Sequence, residues 1–280
     1  MKEDFYTFGG GHFWEDVFFY QKWRIQRNYV TKSYRLLDNW DIRRKSGTFE
    51  ECRKAFVTYI DAYEIPRQKG HMIIMLHGLG QSKNIFKPLW RAALAENFMA
   101  AAVNYPSTQK DADGHVKQLN FFLNHLEDVS KISFVSYGAG NILLQKLFES
   151  KAEWQEKILI GRAVEVCPRV YASSLFEKIA KNSFLSFFTG PMIKDLMPKN
   201  LKKTPPLTAI EAGIVLSARP WYEKLLNFLT YSSEKDFSYD ELKRDTHVKE
   251  VIEFETSYHN IFKSYRVRGA VMNFLKKGTF

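Results

Sequence analysis

The 280-residue chain is 45% hydrophobic and carries 23 Phe, 14 Tyr and 6 Trp, enough apolar material to bury a large core, which excludes a disordered chain. Its formal charge of +10 favours anionic partners, weak association with an anionic membrane surface among them; the basic residues are scattered among acids and form no phosphate track, so nucleic acid is not an expected partner. Two cysteines, Cys52 and Cys167, exclude a disulfide framework and a cysteine zinc site, and the histidines show no metal spacing, so no cofactor is expected.

The opening MKEDFYTFGGGHFWED places acids where a secretory signal needs a basic and then an apolar region. No apolar run approaches the ~20 residues of a membrane span, and the expected location is cytoplasmic. Residues 1–70 carry Trp14, Trp23 and Trp40 among charges without a clear period. They are expected to form an irregular N-terminal extension packed on a main domain of residues 71–280, since no Gly/Ser/Pro linker divides the two.

From residue 71 strands and helices alternate, which predicts an α/β fold with a mostly parallel central sheet and helices on both faces. Met72–Leu76 is a buried strand that runs into the glycine turn His77-Gly78-Leu79-Gly80. Helical spacing follows over Phe86–Asn97, a strand over Met99–Val103 and a helix over Val116–Leu126. The third strand, Ile132–Ser136, enters Tyr137-Gly138-Ala139-Gly140 and then a helix over Asn141–Phe148. Further on, Ala163–Val166, Ala209–Leu216 and Val251–Phe254 read as strands, Leu175–Ala180 starts a helix, and Val267–Leu275 is the closing helix. The FLSFF stretch at Phe184–Phe188 is an apolar excursion that lines an acyl pocket, covers it, or packs in the core.

A strand, a sharp turn of small residues and a helix is the geometry of a nucleophile elbow, written G-x-S-x-G in active serine hydrolases. Here the five positions read Ser136-Tyr137-Gly138-Ala139-Gly140, and the central residue has no side chain. Oxyanion donors in such sites are main-chain amides of the turn after the first strand and of the residue after the nucleophile. Those positions are Leu79, in the turn begun by Gly78, and Ala139. His259 follows the VIEF strand, where the chain order nucleophile, acid, histidine puts the base; Asp236, Asp240 and Asp245 are the upstream acid candidates.

The chain resembles a bacterial lipase/esterase-like branch of the α/β-hydrolase superfamily over roughly residues 70–280. The resemblance is carried by MLHGLGQSKNIFKPL, VNYPSTQ, FVSYGAGNILLQKLF, GRAVEVCPRV, FFTGPMIKDL, EAGIVLSARP and SYHNIFKSYRVRGAVMNFLKKGTF. It implies Gly138 at the nucleophile position, Asp236 at the acid position, 23 residues before His259 as base, and Leu79 and Ala139 as oxyanion amides, with Gly78 and Tyr137 beside them. The pattern departs at several of its own positions. Glycine stands for serine at 138, Tyr137 for histidine, Asp-Phe-Ser-Tyr for the Asp-Gly-Thr-Val run and Val-Tyr-Ala for an Asn-Gln-Gly run, which favours natural loss of the standard chemistry over a single engineered change. The expected function is a degenerate serine-hydrolase domain that binds an acyl or lipid-like small molecule. The alternatives are an ester hydrolase inactivated by a Ser-to-Gly change or using another nucleophile, and an interaction scaffold without pocket chemistry.

Overall fold

The computed structural model describes residues 13–168, 190–197, 200, 207–218 and 248–280. The N-terminal region is more regular than its sequence pattern predicts. It forms an antiparallel meander of β1 (Trp14–Tyr20), β2 (Trp23–Asn28), β3 (Tyr34–Leu37) and β4 (Arg43–Gly47), followed by helix α1 (Phe49–Ala62). Thr48 starts α1 with a capping box, its hydroxyl accepting from Glu51 N while Glu51 accepts from Thr48 N. Cys52 and Phe56 of that helix are fully buried against the sheet, where Phe18, Tyr20 and Trp23 surround the Phe56 ring at centroid distances of 5.2, 5.6 and 5.8 Å.

The meander is bonded to the rest of the chain through Asp16. Asp16 N donates to Asn104 O and Asn104 N donates to Asp16 Oδ2, each at 2.8 Å, and Asn104 Nδ2 donates to Trp14 O at 2.7 Å. Phe19, from the same strand, joins the main core.

The main sheet has six described strands: β5 (Gly70–Leu76), β6 (Met99–Val103), β7 (Val129–Tyr137), β8 (Leu159–Val166), β9 (Glu211–Ala218) and β10 (Val248–Glu255). Their order is β10-β9-β8-β7-β5-β6, and every pairing is parallel. Helices cover both faces, which bears out the α/β reading of the sequence, a mostly parallel central sheet with the N-terminal sheet as an extension. In β5 the alternation is visible residue by residue. Met72, Ile74 and Leu76 face a core layer shared with α3 (Ala112–Asn124), α4 (Gly140–Glu149) and α5 (Trp154–Lys157), whereas Ile73 and Met75 face the layer shared with α2 (Lys87–Ala95) and α6 (Tyr265–Lys277). A strand buried on both faces reads as a continuous apolar run, which is what MIIML is.

The chain leaves β5 for β6 on one side and then returns to β7 on the other. That reversal is a topological switch point at the carboxyl ends of β5 and β7, the position where open parallel sheets generally bind ligands. Among the described residues, no helix is long and apolar enough to cross a membrane.

Candidate functional site

Two turns meet at this switch point. The first leaves β7 at Tyr137, passes Gly138 at φ 55° and enters α4 at Gly140. A positive φ costs an L-residue free energy and costs glycine almost none, so the apex sequence suits its backbone. Gly138 N donates to Val166 O at 3.1 Å, and Gly138 O accepts from both Asn141 N at 3.1 Å and Asn141 Nδ2 at 2.8 Å. Asn141 Nδ2 also reaches Val166 O at 3.1 Å, while its Oδ1 accepts from Ser136 Oγ at 2.6 Å. The Ser136 hydroxyl is thereby buried and its proton committed below the turn. Gly140 allows the close approach of helix to sheet, since a Cβ there would lie 2.4 Å from Leu76 O and 2.9 Å from His77 O.

The second turn follows β5. Gln81 N donates to Gly78 O at 3.3 Å, Gly78 N to Gln81 Oε1 at 3.2 Å and Gly80 N to Ser107 Oγ at 3.0 Å, with Gly80 at φ 69°. A Cβ on Gly78 would lie 3.4 Å from Tyr137 O, so the two turns run side by side. Leu79 N and Ala139 N have no protein acceptor among the described residues. They are the two amides that the sequence pattern assigns to an oxyanion. Gly78, expected beside them, has its own amide engaged by Gln81.

An aromatic wall backs the second turn. His77 Nδ1 donates to Gly78 O at 2.9 Å, and its ring stacks on Tyr105 at 4.0 Å with planes 8° apart. Tyr105 Oη donates to His77 O, and burial pushes its phenol well above the ordinary tyrosine range. His115 lies 5.2 Å beyond Tyr105, fully buried. Desolvation first, then the charges of Lys110 and His77, lower its pKa to about 3; the backbone of Ser107 and Lys110 offsets this in part without hydrogen-bonding geometry. The imidazole is therefore neutral at ordinary pH.

His259 stands in a 3-10 turn, Tyr258–Lys263, after β10. That turn is moored beside the elbow: Tyr137 Oη donates to Tyr258 O at 2.9 Å and the two rings stack at 4.6 Å. The residue before His259 thus touches the residue before Gly138. His259 itself is exposed, its ring edge-on to Tyr258 at 5.3 Å. Tyr137, expected among binding residues, is fully buried with its ring against Tyr258 and Phe262. Asp236, Asp240, Asp245 and the FLSFF stretch lie outside the described residues, as does the helix expected at Leu175–Ala180. Among the described residues no group of three or more His, Cys, Asp or Glu could hold a metal ion.

Asn141, Ser107 and Tyr105 are the residues that hold the two turns and that sequence reasoning did not single out. Asparagine directly after the small-residue elbow is the one signal that could have marked its role, since short amides bond nearby backbone readily.

No family model and no curated protein matches the chain. Solved structures with a similar chain course include polyneuridine aldehyde esterase, at 13% identity and TM-score 0.47 over 74% of this chain and 99% of that one. Tomato methylketone synthase I in complex with 2-tridecanone, at 12% identity and TM-score 0.46, covers 75% and 99%. A monoacylglycerol lipase from Paleococcus ferrophilus, at 14% identity and TM-score 0.45, covers 73% and 93%.

Proposed function

We propose that the chain is a lipase/esterase-type α/β-hydrolase domain that binds the carboxyl end of an acyl or lipid-like small molecule at the Leu79 and Ala139 amides and does not run covalent ester hydrolysis. The observation that carries this reading is a glycine at the strand-to-helix apex beside two amides with no protein acceptor among the described residues. Main-chain donors do not depend on the residue 138 side chain, so anion stabilisation survives where nucleophilic attack cannot. Ser136 and Cys167 are both fully buried, and Ser136 is bonded to Asn141, which speaks against either as a substitute nucleophile. In this reading Asp236 and His259 are an acid and base without a hydroxyl to activate.

The test combines three measurements on the unaltered protein. A fluorophosphonate probe is expected to leave it unlabelled, p-nitrophenyl esters to show no acyl burst, and sodium decanoate to raise its melting temperature. Stoichiometric labelling at any residue, or a burst, overturns the non-covalent reading; an unchanged melting temperature overturns the ligand. Gly138→Ser then measures how much machinery remains. Loss of the serine from a working serine hydrolase costs about 10⁶-fold in turnover, so a gain of that order in the serine variant would show a site lacking only its nucleophile and favour the Ser-to-Gly alternative.

A further inference from the structure

The turn between β3 and β4 is built to hold two apolar side chains in water. Asp38 is fully buried and organises the turn alone: its Oδ1 accepts from Trp40 N and Ile42 N, each at 2.9 Å, and its Oδ2 accepts from Arg44 Nε at 2.8 Å. Asp38 N donates to Ile42 O and Asp41 N to Asp38 O, each at 3.0 Å. On this fixed frame Trp40 is 71% exposed and Ile42 52% exposed. Single exposed apolar residues are ordinary on a protein surface, and Val30, Leu159 and Tyr265 need no further account. A tryptophan and an isoleucine two residues apart on a preorganised tip are a different case, because rigidity removes the conformational escape that would let them cover themselves.

The charge around the tip has one sign to spare. Asp41, the exposed acid between the two apolar residues, is neutralised by Lys83 Nζ at 2.6 and 2.7 Å and lies 3.8 Å from Arg24 Nε. Arg43 is exposed and has no ion-pair partner among the described residues. Burial lowers the neighbouring Arg35 to about 10, with the charge of Asp16 opposing and that of Arg43 adding to the shift. Lys83 begins a 3-10 turn that continues into α2, and Lys83, Lys87 and Arg91 follow at a spacing of four, one stripe of that segment. Lys87 and Arg91 are exposed and likewise have no ion-pair partner among the described residues.

We infer that the Trp40–Ile42 tip and the Lys87/Arg91 stripe form a docking surface for an anionic lipid bilayer, with the two apolar side chains inserted at the headgroup level and Arg43, Lys87 and Arg91 against lipid phosphates. An interfacial tryptophan beside cations is the combination that a bilayer surface selects, since its ring is amphipathic and each basic residue near the surface adds attraction. Lys83, which clasps the tip through Asp41, is two residues beyond Gln81, the residue that closes the turn carrying Leu79. The tip is therefore joined, through Asp41 and Lys83, to the chain segment that carries Leu79. The surface uses no residue of the elbow, so it stands or falls separately from the proposed acyl ligand.

The experiment is flotation of the full chain with vesicles of equal parts phosphatidylglycerol and phosphatidylcholine, and with phosphatidylcholine alone. Binding is expected to the anionic vesicles only and to weaken with added salt. Trp40→Ser/Ile42→Ser and Arg43→Glu/Lys87→Glu, each checked for unchanged circular dichroism, are expected to lose about tenfold in vesicle affinity. No flotation with anionic vesicles overturns the inference. So does flotation undiminished by Trp40→Ser/Ile42→Ser, which would leave only diffuse charge attraction. So, finally, does a concentration-dependent dimer abolished by that same variant, which would give the tip to a second copy of the chain.

Discussion

Asp16→Ala is expected to remove a large share of the stability of this protein, although the residue lies in a region that the sequence presents as an appendage. The Asp16 side chain is 1% exposed and that of its ion-pair partner Arg24 is 9% exposed, 2.7 Å away. Asp16 also accepts from Gln26 Nε2 at 2.7 Å and from Asn104 N at 2.8 Å. Truncation leaves a buried guanidinium without its nearer counter-charge, a change that costs about 3–5 kcal/mol, and deprives two further buried donors of an acceptor. Against a total of roughly 5–15 kcal/mol for a domain, a loss near 4 kcal/mol is large. Urea unfolding followed by circular dichroism measures it, and hydrogen exchange resolves where it falls. Amides of β1 and β2 should open together with those around Asn104, since Asp16 N and Asn104 O are themselves bonded. Asp16→Leu/Arg24→Leu should recover more than half of the loss, because removing both charges also removes the desolvation cost. A loss below about 1 kcal/mol for Asp16→Ala, or exchange confined to the meander, would refute the claim that this pair ties the N-terminal sheet to β6.

Two further outcomes follow from the same structure. Gly140→Ala should cost about 1–3 kcal/mol or more by overpacking, because its Cβ would meet the Leu76 carbonyl at 2.4 Å, whereas Gly269→Ala in α6, with nothing within 4 Å, should gain up to about 1 kcal/mol; denaturant midpoints compare them directly. Stability should also fall as pH drops below the ordinary histidine value, because His115 at about 3 in the fold lies below its usual 6.5. Between those values the unfolded chain holds a proton that the native one does not, so stability is full above 6.5 and is lost on acidification, by about 2 kcal/mol at pH 5. His115→Phe should flatten that dependence, and equal pH slopes in the two proteins would sink the assignment of a buried neutral imidazole.

The main sheet was legible because its strands are apolar on both faces and its helices on one. MIIML, the Met99–Val103 run and the closing helix all appear within a few residues of their expected bounds. The N-terminal meander was not legible for a physical reason. Pattern reading assigns charged residues to solvent, but Glu15, Asp16, Arg24 and Gln26 are all buried: across β1 and β2 Arg24 and Gln26 donate to Asp16, and Arg27 donates to Glu15. Alternation is therefore hidden in strands such as WEDVFFY and WRIQRN, where both faces are covered and one is polar. The capping box Thr48–Glu51 was present in the sequence and would have located α1.

The elbow was legible for a different reason: its requirements are steric and fall on the backbone. Gly140 must be small because a helix approaches two carbonyls, Gly80 and Gly138 because φ is positive. A serine at 138 would hold a left-handed conformation at a cost of about 1–2 kcal/mol, a strain that active sites keep because the hydroxyl must project from the turn. Glycine relieves that strain, and an elbow free of nucleophilic duty would be expected to relax further and bond its remaining amides. Here Asn141 and Val166 take up the carbonyl and amide of Gly138, yet Ala139 N, in a residue 2% exposed, still has no acceptor among the described residues, and neither does Leu79 N on the facing turn. In the proposed function these two amides are the donors that an acyl carboxylate or carbonyl oxygen would meet, which is why binding, not turnover, is the property to measure first.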